Sequence, residues 1–147
     1  MIGSGDGEGV ARAREMYERD PTNQALSIAL LELGQGRATV RMRVLDSMLN
    51  GHRTAHGGYL FLLADAAFAV ACNTYGPVTV AQGAQVTFLR PVEAGEELTA
   101  EAVERARFGR GGIYDVTVRR AGGEVVAEFR GQSVMVSSSP EQRGPAK

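Results

Sequence analysis

A single carboxylate, Asp65, stands inside a long apolar run that opens on a glycine pair, Gly57-Gly58-Tyr59-Leu60-Phe61-Leu62-Leu63-Ala64-Asp65-Ala66-Ala67-Phe68-Ala69-Val70-Ala71-Cys72. The run reads as a helix from about Gly57 to Tyr75, with Gly76 as its C-terminal cap and Pro77 as a stop. A helix apolar on most of its circumference must be buried on most sides. A charge among such neighbours costs several kcal/mol if it is buried without a partner. Packing alone would place alanine or leucine there, so Asp65 is the first pointer to chemistry. The stretch approaches membrane-spanning length, roughly 20 residues. The mid-run carboxylate and the soluble-type strands that follow argue against a bilayer span.

What flanks the helix decides how it is covered. Residues 1–9 read as a disordered polar tail, Gly9 to Asp20 as a short charged helix, and Pro21 to Ala29 as a second short turn or helix. Leu30 to Leu45 alternates around Gly34-Gln35-Gly36 and reads as a bent strand or hairpin. Asp46 to Ala55 is a loop. Beyond Pro77 the pattern is strand throughout: Val78–Arg90, Glu97–Arg107, Gly111–Arg120 and Glu124–Ser137, with a tight turn at Ala121-Gly122-Gly123. The expected fold is α+β, one long helix followed by a meander of antiparallel strands. A single sheet covers one face of a helix. The sheet must therefore curl around it, and a second copy must cover the remainder.

The glycine pair has a chemical reading. A helix N-terminus leaves backbone N–H groups unpaired, and with the helix dipole they suit an oxyanion or a polarised carbonyl oxygen. Gly57 lets a ligand approach the backbone closely; a plain turn at a helix start is the structural alternative. Gly57 and Asp65 lie eight residues apart, roughly 12 Å along a helix. A reacting carbonyl must lie within about 3 Å of each group that acts on it. If both act on one substrate, they must come from different subunits, with two antiparallel copies of the helix side by side.

The string Asn50…His56-Gly57-Gly58…Ala64-Asp65, with the later Val86-Thr87-Phe88-Leu89-Arg90-Pro91, resembles the hotdog-fold acyl-CoA thioesterases, of the phenylacetate-degradation branch, over about residues 25–137. The resemblance implies a hotdog fold, a long central helix wrapped by a curved antiparallel sheet of five to six strands. It implies one such domain over residues 21–138, preceded by a tail and short helix at 1–20 and followed by a disordered tail at 139–147. It also implies hydrolysis of an acyl-CoA, with an aryl or arylacetyl group, to free acid and CoA. Asp65 is then general base or nucleophile, Gly57 polarises the thioester carbonyl through its N–H, and Asn50 places the water or the carboxylate. No metal or organic cofactor is implied. The alternatives are a hotdog hydratase, which would need a histidine–carboxylate pair that only His56 can supply, and a non-catalytic acyl-CoA-binding module.

The remaining candidates are read more plainly. His56 is an orienting residue that bonds backbone or substrate, or else a base, and Gly58 joins it as a substrate contact. His52 and His56 have a spacing open to metal ligation, but no third ligand is evident. Arg105, Arg107 and Arg110 can meet the phosphates of CoA, or form a solvated strand end. Tyr59, Phe61 and Phe68 line an acyl pocket or pack the core. Asn50 can equally be a loop turn, and Asp65 an acceptor at an interface.

Composition narrows the class. A net charge of −1 over 147 residues leaves no basic footprint for nucleic acid. The single cysteine, Cys72, reads as a small buried hydrophobe in a reducing compartment, and the polar N-terminus lacks a signal peptide's apolar core. The expected partners are an acyl-CoA substrate and further copies of the chain, as a homodimer or a homotetramer built from dimers. Neither nucleic acid nor membrane is expected, and the expected location is cytoplasmic. Neither a Gly-x-Ser-x-Gly elbow nor a Walker loop is present.

Overall fold

The apolar run folds as one unbroken helix, and everything else is arranged to cover it. The computed structural model of the chain describes residues 4–137. Its elements are helices α1 (Ser4–Arg19) and α2 (Pro21–Ala25), strands β1 (Ala29–Gly34) and β2 (Arg37–Arg43), helix α3 (Gly57–Cys72), and strands β3 (Val78–Phe88), β4 (Glu97–Phe108), β5 (Gly111–Arg120) and β6 (Val125–Ser137). The strands form one antiparallel sheet in the order β1-β2-β4-β5-β6-β3. This is the expected α+β hotdog arrangement, with six strands around a central helix. Among the described residues no helix is long and apolar enough to cross a membrane.

The sheet's inner face packs on α3 through alternate residues: Val40 and Met42, Leu98, Ala100 and Ala102, Tyr114, Val116 and Val118, and Phe129 are all buried. The alanines let the helix lie close to the strands. Phe68 supplies the aromatic centre, its ring 5.7 Å from Tyr114 and 5.8 Å from Phe129. Burying such a ring is worth about 1.5–3 kcal/mol. Gly131 on β6 faces Phe68, and a Cβ there would come within 2.8 Å of the ring. The glycine is therefore required by packing.

Three expectations need correction. The helix ends at Cys72 with Asn73 as C-cap; it does not run on to a Gly76 cap. Asn73 Nδ2 donates to the carbonyls of Ala69 at 2.8 Å and Thr79 at 3.0 Å, and Oδ1 accepts from Thr79 N–H. One side chain thus closes the helix and receives the next strand. Gly76, at φ +108°, makes the turn into β3. Second, α1 begins at Ser4, so residues 4–9, expected in a tail, are helical; residues 1–3 and the expected tail at 139–147 lie outside the described residues. The helix is held by packing: Ala13 is buried, and Met16 and Tyr17 sit against the core. Third, the strands after the helix are not a simple meander. β3 pairs with β6 at the far edge, and β4 crosses back to pair with β2.

The far edge is where coverage fails. β3 pairs with β6 on one side, and Val80 and Phe88 are 43% and 50% exposed. On α3, Phe61, Leu62, Asp65, Ala66 and Ala69 are all only half-buried. Their spacing places them on one helix face. The protomer therefore leaves an apolar stripe with Asp65 in its middle.

Candidate active site

The loop before α3 is built around Asn50. Its Oδ1 accepts from the N–H groups of His52 at 2.9 Å and Thr54 at 3.2 Å and from the Thr54 hydroxyl at 3.4 Å. Its backbone N–H donates to the Thr54 carbonyl. Arg53 adopts a positive φ of 64° to complete the turn. Three donors on one oxygen fix which end of the amide is which. Among the described residues the Nδ2 group has no protein partner. Asn50 is thus both the loop-turn residue and a free donor.

From this loop the chain enters the helix through His56, an extended N-cap whose side chain makes no capping bond. Its backbone N–H donates to Met48, and Tyr59 N–H returns to the His56 carbonyl. The N–H groups of Gly57 and Gly58 have no acceptor among the described residues, as expected for a first helical turn. Gly57 lines a pocket of about 420 Å³ together with Leu60, Phe88, Leu89, Pro91 and Val92 among others. The Phe88 ring packs so tightly on Gly57 that a Cβ there would approach it to 2.8 Å. Glycine at this position is needed for packing as well as for access to the N–H. Phe88 comes from a strand thirty-one positions away, and no local pattern links the two residues.

Asp65 sits two turns further along the same helix. Among the described residues its carboxylate has no hydrogen bond and no ion pair, and no unpaired side-chain oxygen is fully buried. Its carboxyl is pushed above the ordinary range, first by desolvation and then by the negative charge of Asp20. A carboxylate held this way is a stronger base than a free one and still reachable. His56 and Asp65 are nine residues apart on the chain, roughly 13 Å along a helix. One protomer cannot pair them, which removes the histidine–carboxylate geometry a hydratase would need within one chain.

Other candidates fall in different places. His52 and His56 are exposed, and among the described residues no group of three metal-ligating side chains gathers. The three arginines do not form one cluster. Arg105 bonds Asp115 at 2.7 Å; Arg107 lies over the Tyr75 ring at 3.5 Å; Arg110 donates to the Met135 carbonyl. In a regular strand Arg105 and Arg107 would share a face. The pairing of β4 with β5 slips between Glu104 and Ala106, and this bulge sends them apart. Phe68 is core, whereas Tyr59 and Phe61 remain half-buried. Cys72 is buried, its thiol pushed up to about 12 mainly by that burial.

Comparison with known proteins agrees with this geometry. The model of the thioesterase superfamily matches residues 52–127. The chain is 46% identical over 121 residues to the acyl-coenzyme A thioesterase PaaI of Escherichia coli strain K12, spanning 82% of this chain and 86% of that one. It is similar to the structure of the E. coli PaaI protein from the phenylacetic acid degradation operon, with TM-score 0.88 and 41% identity over 92% of this chain and 99% of that one. It is also similar to the TT0310 protein of Thermus thermophilus, with TM-score 0.77 and 42% identity over 80% and 99% of the two chains. A helix wrapped by six antiparallel strands, with these matches, defines a hotdog-fold thioester hydrolase. The chain belongs to the thioesterase superfamily.

Proposed function

We propose that this chain hydrolyses acyl-CoA thioesters to free acid and CoA, with aryl or arylacetyl groups as the acyl part, and that it does so as a homodimer or a pair of dimers. The carrying observation is the half-buried, unpartnered Asp65 carboxylate on the same helix as the unpaired Gly57 N–H, eight residues away and so roughly 12 Å distant. The two groups act on one thioester only from opposite chains. The half-covered face of α3 and the open edge of β3 support that assembly. The substrate class and the aryl preference rest on the similarity to PaaI and to the phenylacetic acid degradation protein.

In this reading the Gly57 N–H holds the thioester oxygen and stabilises its negative charge as the carbonyl becomes tetrahedral, with Gly58 and His56 beside it. An oxyanion donor of this kind is worth roughly 3–4 kcal/mol. Asp65 of the other protomer takes a proton from water, whose oxygen bonds the carbonyl carbon, or attacks that carbon itself to form an acyl–aspartyl anhydride that water hydrolyses after CoA has left. Asn50 Nδ2 holds the water or the carboxylate. The C–S bond then breaks, and the CoA thiolate leaves and is protonated. Arg107 and Arg110 are the arginines of the trio with no carboxylate partner among the described residues and remain open to CoA phosphates.

Subunit complementation tests the two-chain site. Asp65→Asn and Gly57→Pro, which removes the N–H, should each give a nearly inactive homodimer. In the mixed dimer one site carries both defects and the other neither, so thiol release should recover to about half of wild type per heterodimer. Folded heterodimers that stay dead would place both groups in one chain or in different reactions.

A further inference from the structure

One wall of the pocket beside Gly57 is chain without regular structure. Residues 89–96 run from β3 to β4 with neither helix nor strand, and Leu89, Pro91 and Val92 of that stretch line the pocket. Two carbonyls tie its middle down. The Val92 carbonyl accepts at 2.7 Å from the N–H of Ala55, two residues ahead of Gly57, and the Pro91 carbonyl accepts from Arg120 Nη2. A loop of this kind is as fixed as its anchors.

Arg120 breaks the pattern of its own strand. Period two buries Tyr114, Val116 and Val118 on the inner face of β5 and carries on to Arg120, which pairs with buried Leu98 of β4. Its guanidinium is spent on the loop. Nε donates to Glu96 Oε1 at 3.0 Å and Nη2 to Glu96 Oε2 at 3.3 Å, so one carboxylate is held at both oxygens. Nη1 donates to Glu124 Oε1 at 2.7 Å, and Nη2 also reaches the Pro91 carbonyl. Glu96 Oε2 in turn accepts from Glu93 N–H at 2.8 Å. Glu124 Oε2 lies 2.9 Å from Arg90 Nε, and Arg90 Nη1 donates to the Val125 carbonyl. One side chain thus gathers Pro91, Glu96 and, through Glu124, Arg90. A planar fork of five donors spans three such partners at once; a lysine ammonium, a compact point charge, does not.

We propose, on the reading that the Gly57 N–H holds the thioester oxygen, that Arg120 is a positioning residue for the acyl group: it fixes the wall of Leu89, Pro91 and Val92 against which that group lies. A carbonyl oxygen held within about 3 Å of the Gly57 nitrogen brings the acyl carbons close to Gly57. The side chains that line the pocket there, Leu60, Phe88, Leu89 and Val92, are apolar and suit an acyl group rather than the polar body of CoA. Contacts made alike in substrate and transition state set KM and leave kcat unchanged. Arg120 therefore governs the acyl half of the substrate and not the CoA half.

Arg120→Lys tests this, with phenylacetyl-CoA as substrate and free CoA, which has no acyl group, as competitive inhibitor. KM should rise about tenfold, the worth of one or two methylene contacts in an apolar pocket. Both kcat and the Ki of CoA should stay within about twofold of wild type. Glu124→Ala, in the half-exposed turn before β6, frees Arg90 and one arm of Arg120. It should raise KM by a smaller factor with Ki unchanged, and it carries the test if Arg120→Lys folds poorly. Arg130→Lys loosens an arginine–carboxylate pair on the outer face of the sheet and should move neither KM nor Ki. A KM unchanged in both wall variants, KM and Ki rising together, a fall in kcat alone, or the same KM rise in Arg130→Lys would each overturn the role of Arg120 while Gly57→Pro stays inactive. Turnover of phenylacetyl-CoA by Gly57→Pro, or none by the wild type, would overturn the reading of Gly57 and of the substrate as well.

Discussion

Asp115 lies on the outer face of β5 between two arginines, and Asp65 lies on α3 with no ion-pair partner among the described residues. Arg130 grips Asp115 with Nε at 2.6 Å and Nη2 at 2.9 Å, and Arg105 adds Nε at 2.7 Å. The Arg130 hydrogen bond, with help from Arg105, holds the Asp115 carboxyl down at about 2. At Asp65 no cation answers the charge, and burial with the Asp20 repulsion moves the carboxyl the other way. The chain can satisfy a carboxylate and does so where no chemistry is needed. A carboxylate left unsatisfied in this way is what the proposed reaction at Asp65 would use.

Substitutions at the two acids should separate those roles. The largest effect expected is in catalysis: Asp65→Asn should lower kcat by about 10²–10⁴-fold, while Asp115→Asn leaves turnover near wild type. Thiol release from acyl-CoA measures both, and equal losses would erase the contrast. Next comes assembly. Ala69→Glu adds an unpaired charge to the half-covered face of α3, one turn from Asp65. Sedimentation should show it as a folded monomer, because the monomer tolerates a half-exposed charge that an interface does not.

Smaller effects concern stability and have opposite signs. The folded Asp115 carboxyl titrates at about 2, below its ordinary 3.8. Its contribution is therefore complete above the ordinary value and fades as pH falls toward about 2. Asp115→Asn should lose at most about 1–2 kcal/mol in urea unfolding at neutral pH, less in high salt, since both arginines are exposed. The folded Asp65 carboxyl is raised, so the native state holds its proton more tightly than the unfolded chain. Stability then declines as pH rises from 3.8 through the raised folded value. Asp65→Asn should melt slightly above wild type at neutral pH, with the difference gone in acid. A lower melting temperature at neutral pH would mean that Asp65 has a structural partner.

Much of this site is written locally. Asp65 breaks an apolar helix within its own window, Gly57-Gly58 marks the helix start, and period-two alternation marks the strands. What stayed hidden depends on distant pairing. The place of β3 beside β6 is a choice of neighbour that no alternation encodes. Nor does alternation show which apolar strand residues stay open, and Val80 and Phe88 stand half in solvent. The arginine trio looked contiguous because a bulge at Arg105 has no residue signature there. Asp20 read as the end of a helix, whereas its side chain caps the next one, accepting from Thr22 and Asn23 N–H. Asn73, the true helix end, was masked by Gly76 and Pro77, stronger stop signals just beyond it.

The pairing of β3 with β6 also sets an order of events during synthesis. β3 is complete at Phe88, but its partner ends at Ser137, the last strand to leave the ribosome. Until then the nascent chain carries a greasy helix and a strand with two bare edges, the combination that aggregates most readily. Early translation stops within β5 or β6 should therefore be the most chaperone-dependent.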